Sequence, residues 1–70
     1  KARIFGVKDT KGKVELLLNR PLEGNTFSCY IKGKVHINTI ITFDSVKCKV
    51  IKLEEDGSRV VKFYQNGIDL

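Results

Sequence analysis

The sequence predicts an all-β protein, a small six-stranded antiparallel β-barrel. Three observations predict it. Apolar residues recur with period two in short runs, no helical window exceeds one turn, and turn-forming residues separate the runs at brief intervals. Closing six such strands into a barrel also removes the unpaired edges that an open sheet presents.

The first two runs, Ala2 to Val7 and Val14 to Leu18, flank the polar turn Asp9-Thr10-Lys11-Gly12 and read as a β-hairpin. Neither strand alternates cleanly. Val14, Leu16 and Leu18 share one face while Glu15 and Leu17 take the other, and Ile4 opposes Phe5 and Val7. A hairpin apolar on both faces expects cover on both faces. Residues 19–25, with Pro21 and the pair Gly24-Asn25, read as a connection in which proline ends the pairing. Thr26 to Lys32 is a third strand, with Phe27, Cys29 and Ile31 inward and Ser28, Tyr30 and Lys32 outward. Residues 33–38 form an irregular basic crossing to a short β-branched fourth strand, Thr39 to Phe43.

Asp44-Ser45 turns the chain into a fifth strand, Val46 to Leu53, where Val46, Cys48 and Val50 alternate with Lys47 and Lys49. The phase then slips, because Val50 and Ile51 are adjacent and Leu53 keeps the new parity. A one-residue slip without loss of apolarity predicts a β-bulge at a barrel corner. Residues 54–58 form an acidic loop with an Asp-Gly turn signal, followed by a sixth strand, Arg59 to Tyr64. Residues 65–70 carry neither a helix cap nor a further strand pattern and read as a truncated end. No methionine occurs, position 1 included, so Lys1 is expected to be an internal cut.

Seventy residues bound the chain to one domain, residues 1–70, near the size at which a single core is barely sufficient. Hydrophobic residues at 41% with 30% charged exclude a disordered chain. No apolar stretch approaches the ~20 residues that span a bilayer, so no membrane partner is expected. Thirteen basic against eight acidic residues give a net charge of +5, which favours polyanions such as tRNA and rRNA, or else serves as a solvated lysine-rich surface. The two cysteines, Cys29 and Cys48, form no CxxC and fall on the apolar side of their strands. They read as reduced core thiols in a cytoplasmic protein, and no metal site is expected.

No catalytic constellation assembles. His36 is the only histidine, and the glycines are scattered at turns instead of gathered in a phosphate loop. Glu15 is a lone carboxylate on an otherwise apolar strand. It is either a surface partner of a basic side chain or a functional group lining a cleft. The basic residues fall into three groups: Lys8, Lys11 and Lys13; Lys32 and Lys34 with His36; and Lys47, Lys49 and Lys52. Such charges serve phosphate contacts, while base stacking needs exposed aromatics, for which Tyr30 and Tyr64 are the candidates. Phe5, Phe27, Phe43 and Phe63 fit packing roles.

The opening residues resemble a known family. Ala-Arg-Ile-Phe-Gly from Ala2, then Lys8, then Gly-Lys-Val-Glu-Leu-Leu-Leu from Gly12 to Leu18, are similar to the "ARL-x-G-x-K" and "GG-x-x-E-x-L-L" strands of the S-adenosylmethionine:tRNA ribosyltransferase-isomerases of queuosine biosynthesis. Residues 28–32, Ser-Cys-Tyr-Ile-Lys, resemble the family's third strand, and Val61-Lys62-Phe63 its "V-x-F" strand. Two positions depart from the pattern: Lys11 stands where the family pairs glycines, and Asn38 where it places a glycine. A left-handed backbone at Asn38 would preserve the geometry.

The resemblance implies a small β-barrel inserted into a larger α/β catalytic domain. That family joins the ribosyl part of S-adenosylmethionine to 7-aminomethyl-7-deazaguanine in the tRNA anticodon, giving epoxyqueuosine with release of adenine and methionine. It implies S-adenosylmethionine as ribosyl donor, no metal, and as partners the anticodon stem-loop and the catalytic domain of the same chain. It carries Arg3, Lys13 and Glu15 as substrate-binding candidates, with cross-hairpin pairing as the competing role for Arg3 and Glu15. Lys32, Lys34 and His36 are the tRNA-contact candidates. No catalytic residue is assigned, and the fragment alone is expected to be inactive. The rival readings are a free-standing RNA-binding barrel of the oligonucleotide-binding type and a structural spacer. If the hairpin docks on a missing domain, Phe5, Val7 and Leu17 should be among the largest exposed apolar side chains.

Overall fold

The computed structural model describes the backbone of residues 3–65 and 68–69 and the side chains of residues 3–64; Ala2, the first residue of the predicted hairpin, lies outside them. Seven strands follow in order: β1 (Arg3–Lys8), β2 (Lys13–Pro21), β3 (Thr26–Lys32), β4 (Ile40–Phe43), β5 (Val46–Leu53), β6 (Arg59–Gln65) and β7 (Ile68–Asp69). The sheet order is β3-β2-β1-β4-β5-β6-β7, and an additional β3–β6 pairing closes the first six into an antiparallel barrel. No helix occurs among the described residues. The expected architecture is therefore observed.

The inner faces supply the core. Leu16, Cys29, Ile41, Cys48, Val50 and Val61 are fully buried, with Val14, Val35 and Phe63 close behind. The Phe63 ring meets Phe27 edge-on at 5.3 Å and Phe43 at 5.8 Å between centroids, the geometry that aromatic quadrupoles favour. At Gly6, β4 lies close against β1: a Cβ at this position would lie 2.7 Å from Ile41 Cγ2 and 3.0 Å from the Thr42 carbonyl oxygen. β1 pairs with β4 only at Val7 and Lys8. Towards Arg3 the two strands have no ladder between them.

Several expectations hold to the residue. The β5–β6 register shifts between Val50 and Lys52, which places the bulge at Ile51. Asn38 has φ 76° and its amide donates to the Val50 carbonyl at 2.7 Å. At the first turn Lys11 itself takes φ 73°, so the work of the family's paired glycines falls to a lysine. In the acidic loop, Asp56 Oδ1 accepts from Ser58 Oγ at 2.7 Å and from the Ser58 amide at 2.9 Å, and these bonds hold its carboxyl below the usual range.

Two expectations are corrected, at Pro21 and at the chain's end, and two further placements were not foreseen. β2 does not end before Pro21. A register shift between Leu18 and Arg20 carries the strand on, and Pro21 pairs with Phe27 at its last position; a proline is tolerated there because the ladder ends with it. Ile51 and Leu53 keep their apolar character but lie outside the core, 38% and 40% exposed. Val35, in the basic crossing, is the residue that enters the core instead. The chain's end does form a further strand, with β7 pairing to β6 through Tyr64↔Asp69 and Gln65↔Ile68.

Both cysteines are buried and free. Burial pushes the Cys29 thiol up from 9.0 to about 11 and the Cys48 thiol from 9.0 to about 12. A thiol pKa raised in the folded state favours folding below the unfolded value near 9, and the contribution is lost as pH rises through 11–12. Iodoacetamide at pH 8 should therefore alkylate native Cys29 roughly 100-fold more slowly than in urea, because the thiolate fraction falls by that factor; equal rates would show that the thiol is not in the core. Gly6→Ala should destabilise the barrel by about 1–3 kcal/mol in urea unfolding, since neither Ile41 nor the Thr42 backbone has room to withdraw.

Candidate functional site

The register sorts the outward side chains of the first three strands into rows. Arg3, Leu17 and Tyr30 share one row, and Phe5, Glu15 and Lys32 the next. Val7 and Lys13 follow, with Thr42 beside Val7 on β4. Side chains directly opposite or one row apart across strands are within contact range. Arg3 Nε lies 2.7 Å from Glu15 Oε2, with Glu15 largely covered and Arg3 mostly in solvent. The pairing role foreseen for these two residues is thus the one their geometry shows. An arginine-bound carboxylate is a hydrogen-bond acceptor held in place.

Phe5 is 68% exposed and Val7 41%, whereas Leu17 is half-buried and is not in that group. Where β1 and β4 diverge, an open groove of about 680 Å³ runs along the hairpin, lined by Phe5, Val7, Lys13, Glu15, Lys32 and Phe43 among others. The structure therefore gathers Lys13, Glu15 and Lys32 around one concavity and attaches Arg3 to it through Glu15. Two ammonium groups with an exposed phenyl ring suit an anionic or planar occupant.

Lys34 and His36 do not line that groove. They lie exposed on the crossing between β3 and β4, which three contacts position. Gly33, at φ 135°, passes so close to Val14 that a Cβ would sit 2.5 Å from Val14 Cγ1. Val35 is anchored in the core, and Lys8 Nζ donates to the Lys34 carbonyl at 2.8 Å. The His36 amide donates to Thr39 Oγ1 at 2.9 Å, and the Thr39 amide returns to the His36 carbonyl at 3.0 Å. The result is a braced loop that presents Lys34 and His36 to solvent.

A third surface was only half legible in the sequence. Lys47 pairs in register with Tyr64, and Lys49 with Lys62, on the outside of β5 and β6. The ammonium groups of Lys49 and Lys62 lie 6.0 and 5.7 Å from the Tyr64 ring centroid. Lys47 and Lys49 stand out as a lysine alternation, but Lys62 joins them only through cross-strand register. Lys52 leaves the group, bound to Glu54 at 3.2 Å. Among the described residues no group of three or more histidine, cysteine or acidic side chains is placed to hold a metal ion.

No family model matches the chain, and no solved structure does. Curated proteins do. The S-adenosylmethionine:tRNA ribosyltransferase-isomerase of Campylobacter fetus subsp. fetus is 49% identical over 67 residues, 94% of this chain and 20% of that protein. The protein of the same name from Sulfurimonas denitrificans is 51% identical over 67 residues, with 94% and 20% covered. That of Campylobacter concisus is 46% identical over 71 residues, covering 100% of this chain and 21% of its own length. The chain spans about a fifth of the length of the curated relatives it matches. Over nearly its whole length it is thus homologous to one segment of the S-adenosylmethionine:tRNA ribosyltransferase-isomerase family.

Proposed function

We propose that the chain is the β-barrel domain of a tRNA ribosyltransferase-isomerase, set within a larger α/β catalytic domain. The whole enzyme would transfer and isomerise the ribosyl moiety of S-adenosylmethionine onto 7-aminomethyl-7-deazaguanine in tRNA, giving epoxyqueuosine. The observation that carries the proposal is the identity of 46–51% across 94–100% of the chain with relatives that bear this name. Those relatives hold the matching sequence as a fifth of a longer protein, which favours a domain of an enzyme over a free-standing RNA-binding barrel.

In this reading the barrel carries no chemistry of its own. It contributes shape and charge. Phe5 and Val7 form the apolar part of a contact with the catalytic domain, in keeping with an exposed patch that the barrel cannot cover itself. Lys13 and Glu15, the latter oriented by Arg3, line the cleft between the two domains on the substrate side. Lys32, Lys34 and His36 face the tRNA anticodon stem-loop, with the braced crossing holding two of them clear of the barrel. The ribosyl donor is S-adenosylmethionine, no metal takes part, and the setting is the cytoplasm. No helix among the described residues is long and apolar enough to cross a membrane.

The full-length protein tests this directly. Incubated with S-adenosylmethionine and tRNA that carries 7-aminomethyl-7-deazaguanine in its anticodon, it should form epoxyqueuosine, detected by mass spectrometry of the digested RNA; no product would refute the reaction. The double variant Phe5→Ser, Val7→Ser should lower turnover roughly 10-fold or more, the equivalent of losing one buried phenyl contact. In the barrel alone the same pair should shift stability by less than about 1 kcal/mol, because both side chains already face water there. Unchanged turnover in the variant would show that the hairpin does not dock.

A further inference from the structure

We propose that the outer face of β5 and β6, centred on Tyr64 with Lys47, Lys49 and Lys62 around it, binds RNA, gripping phosphates beside a base stacked on the tyrosine. The proposal rests on the tRNA-directed reading above but assigns a different surface from the crossing that bears Lys34 and His36.

The register carries the argument. Two adjacent rows run across this face: Thr42, Lys47 and Tyr64, then Ile40, Lys49, Lys62 and Thr26. No carboxylate occupies either row between β4 and β3. Asp44 lies in the turn at one end, and β7 brings Asp69 into register with Tyr64 at the border. Lys49 and Lys62 are directly opposite each other. Two lysine side chains so placed lie within reach of one stretch of phosphate backbone.

Tyr64 supplies what a plain lysine patch lacks. Its half-buried ring is held by the sheet, and the ammonium groups of Lys49 and Lys62 lie 6.0 and 5.7 Å from its centroid. An aromatic face beside point charges is the combination that binds single-stranded or loop RNA, in which bases are free to stack while lysines track the backbone. The hairpin side is less suited. There Lys32 stands in register with Glu15, so a carboxylate interrupts the positive field. On the β5–β6 side the lysines project from strands deep in the ladder, next to the buried Cys48 and Val61, which fixes their spacing.

The test is fluorescence anisotropy of a labelled tRNA carrying 7-aminomethyl-7-deazaguanine with the full-length protein over a salt series, alongside product formation once S-adenosylmethionine is added. Lys47→Glu with Lys49→Glu should weaken binding more than 10-fold and reduce the slope of log affinity against log salt by about 2. Tyr64→Leu should weaken it roughly 5- to 100-fold, the range for one lost stacked base, and Tyr64→Phe should restore it. Circular dichroism of each variant checks that the barrel is intact. Wild-type affinity and slope in the lysine pair would overturn the proposal. If that pair also still makes epoxyqueuosine, the tRNA-directed reading stands without this surface. A wild-type protein that neither binds tRNA nor yields product would overturn both.

Discussion

The pairing of β3 with β6 closes six strands into a ring, and the narrow interior of that ring determines what each face can do. Inside there is room only for the barrel's own side chains, from Leu16 and Ile41 to the buried free thiols of Cys29 and Cys48. The approach at Gly6 shows how tight the fit is, since even one methyl group would collide with Ile41. Every group able to act on another molecule is consequently outside. The charged and exposed apolar groups of the hairpin, the crossing and β5–β6 lie on the barrel's outer surface as three patches.

These patches differ in chemistry. The hairpin side is amphipathic: Phe5 and Val7 stand beside Lys13, Lys32 and an arginine-bound Glu15 along an open groove. The crossing side presents Lys34 and His36 from a loop braced by Lys8, Val35 and Asn38. The β5–β6 side is basic and aromatic. Apolar surface beside mixed charge suits a protein contact, whereas lysines with an aromatic ring suit nucleic acid.

Much of this could be read from local sequence. The bounds of β3, the bulge at Ile51 and the left-handed Asn38 all follow from period-two alternation and residue type over a few positions. What could not be read depends on distant parts of the chain. Pro21 signals an end to pairing, yet the strand runs up to it because Phe27 waits in register on β3. Val35 and Ile37 look alike as apolar residues in a basic loop, and only the closed ring shows that Val35 is the one that enters the core. Ile51 and Leu53 continue an apolar pattern that the bulge rotates away from the core. The site divides the same way: the Arg3–Glu15 pair was foreseeable within one hairpin, whereas the Lys49–Lys62 opposition needed the register between two strands.

The central claim is that the first hairpin is an interface, left open in the barrel and covered in the whole protein. Hydrogen exchange compared between the 70-residue chain and the full-length protein addresses it most directly. β1 meets β4 only at Val7 and Lys8, so the stretch from Arg3 to Gly6 is the part of the ring with most to gain from a partner. The account predicts that amides of Arg3–Gly6 exchange roughly 10-fold or more slowly in the full-length protein, while those of the β3–β6 seam are equally protected in both. Equal exchange at Arg3–Gly6 in the two forms would contradict it.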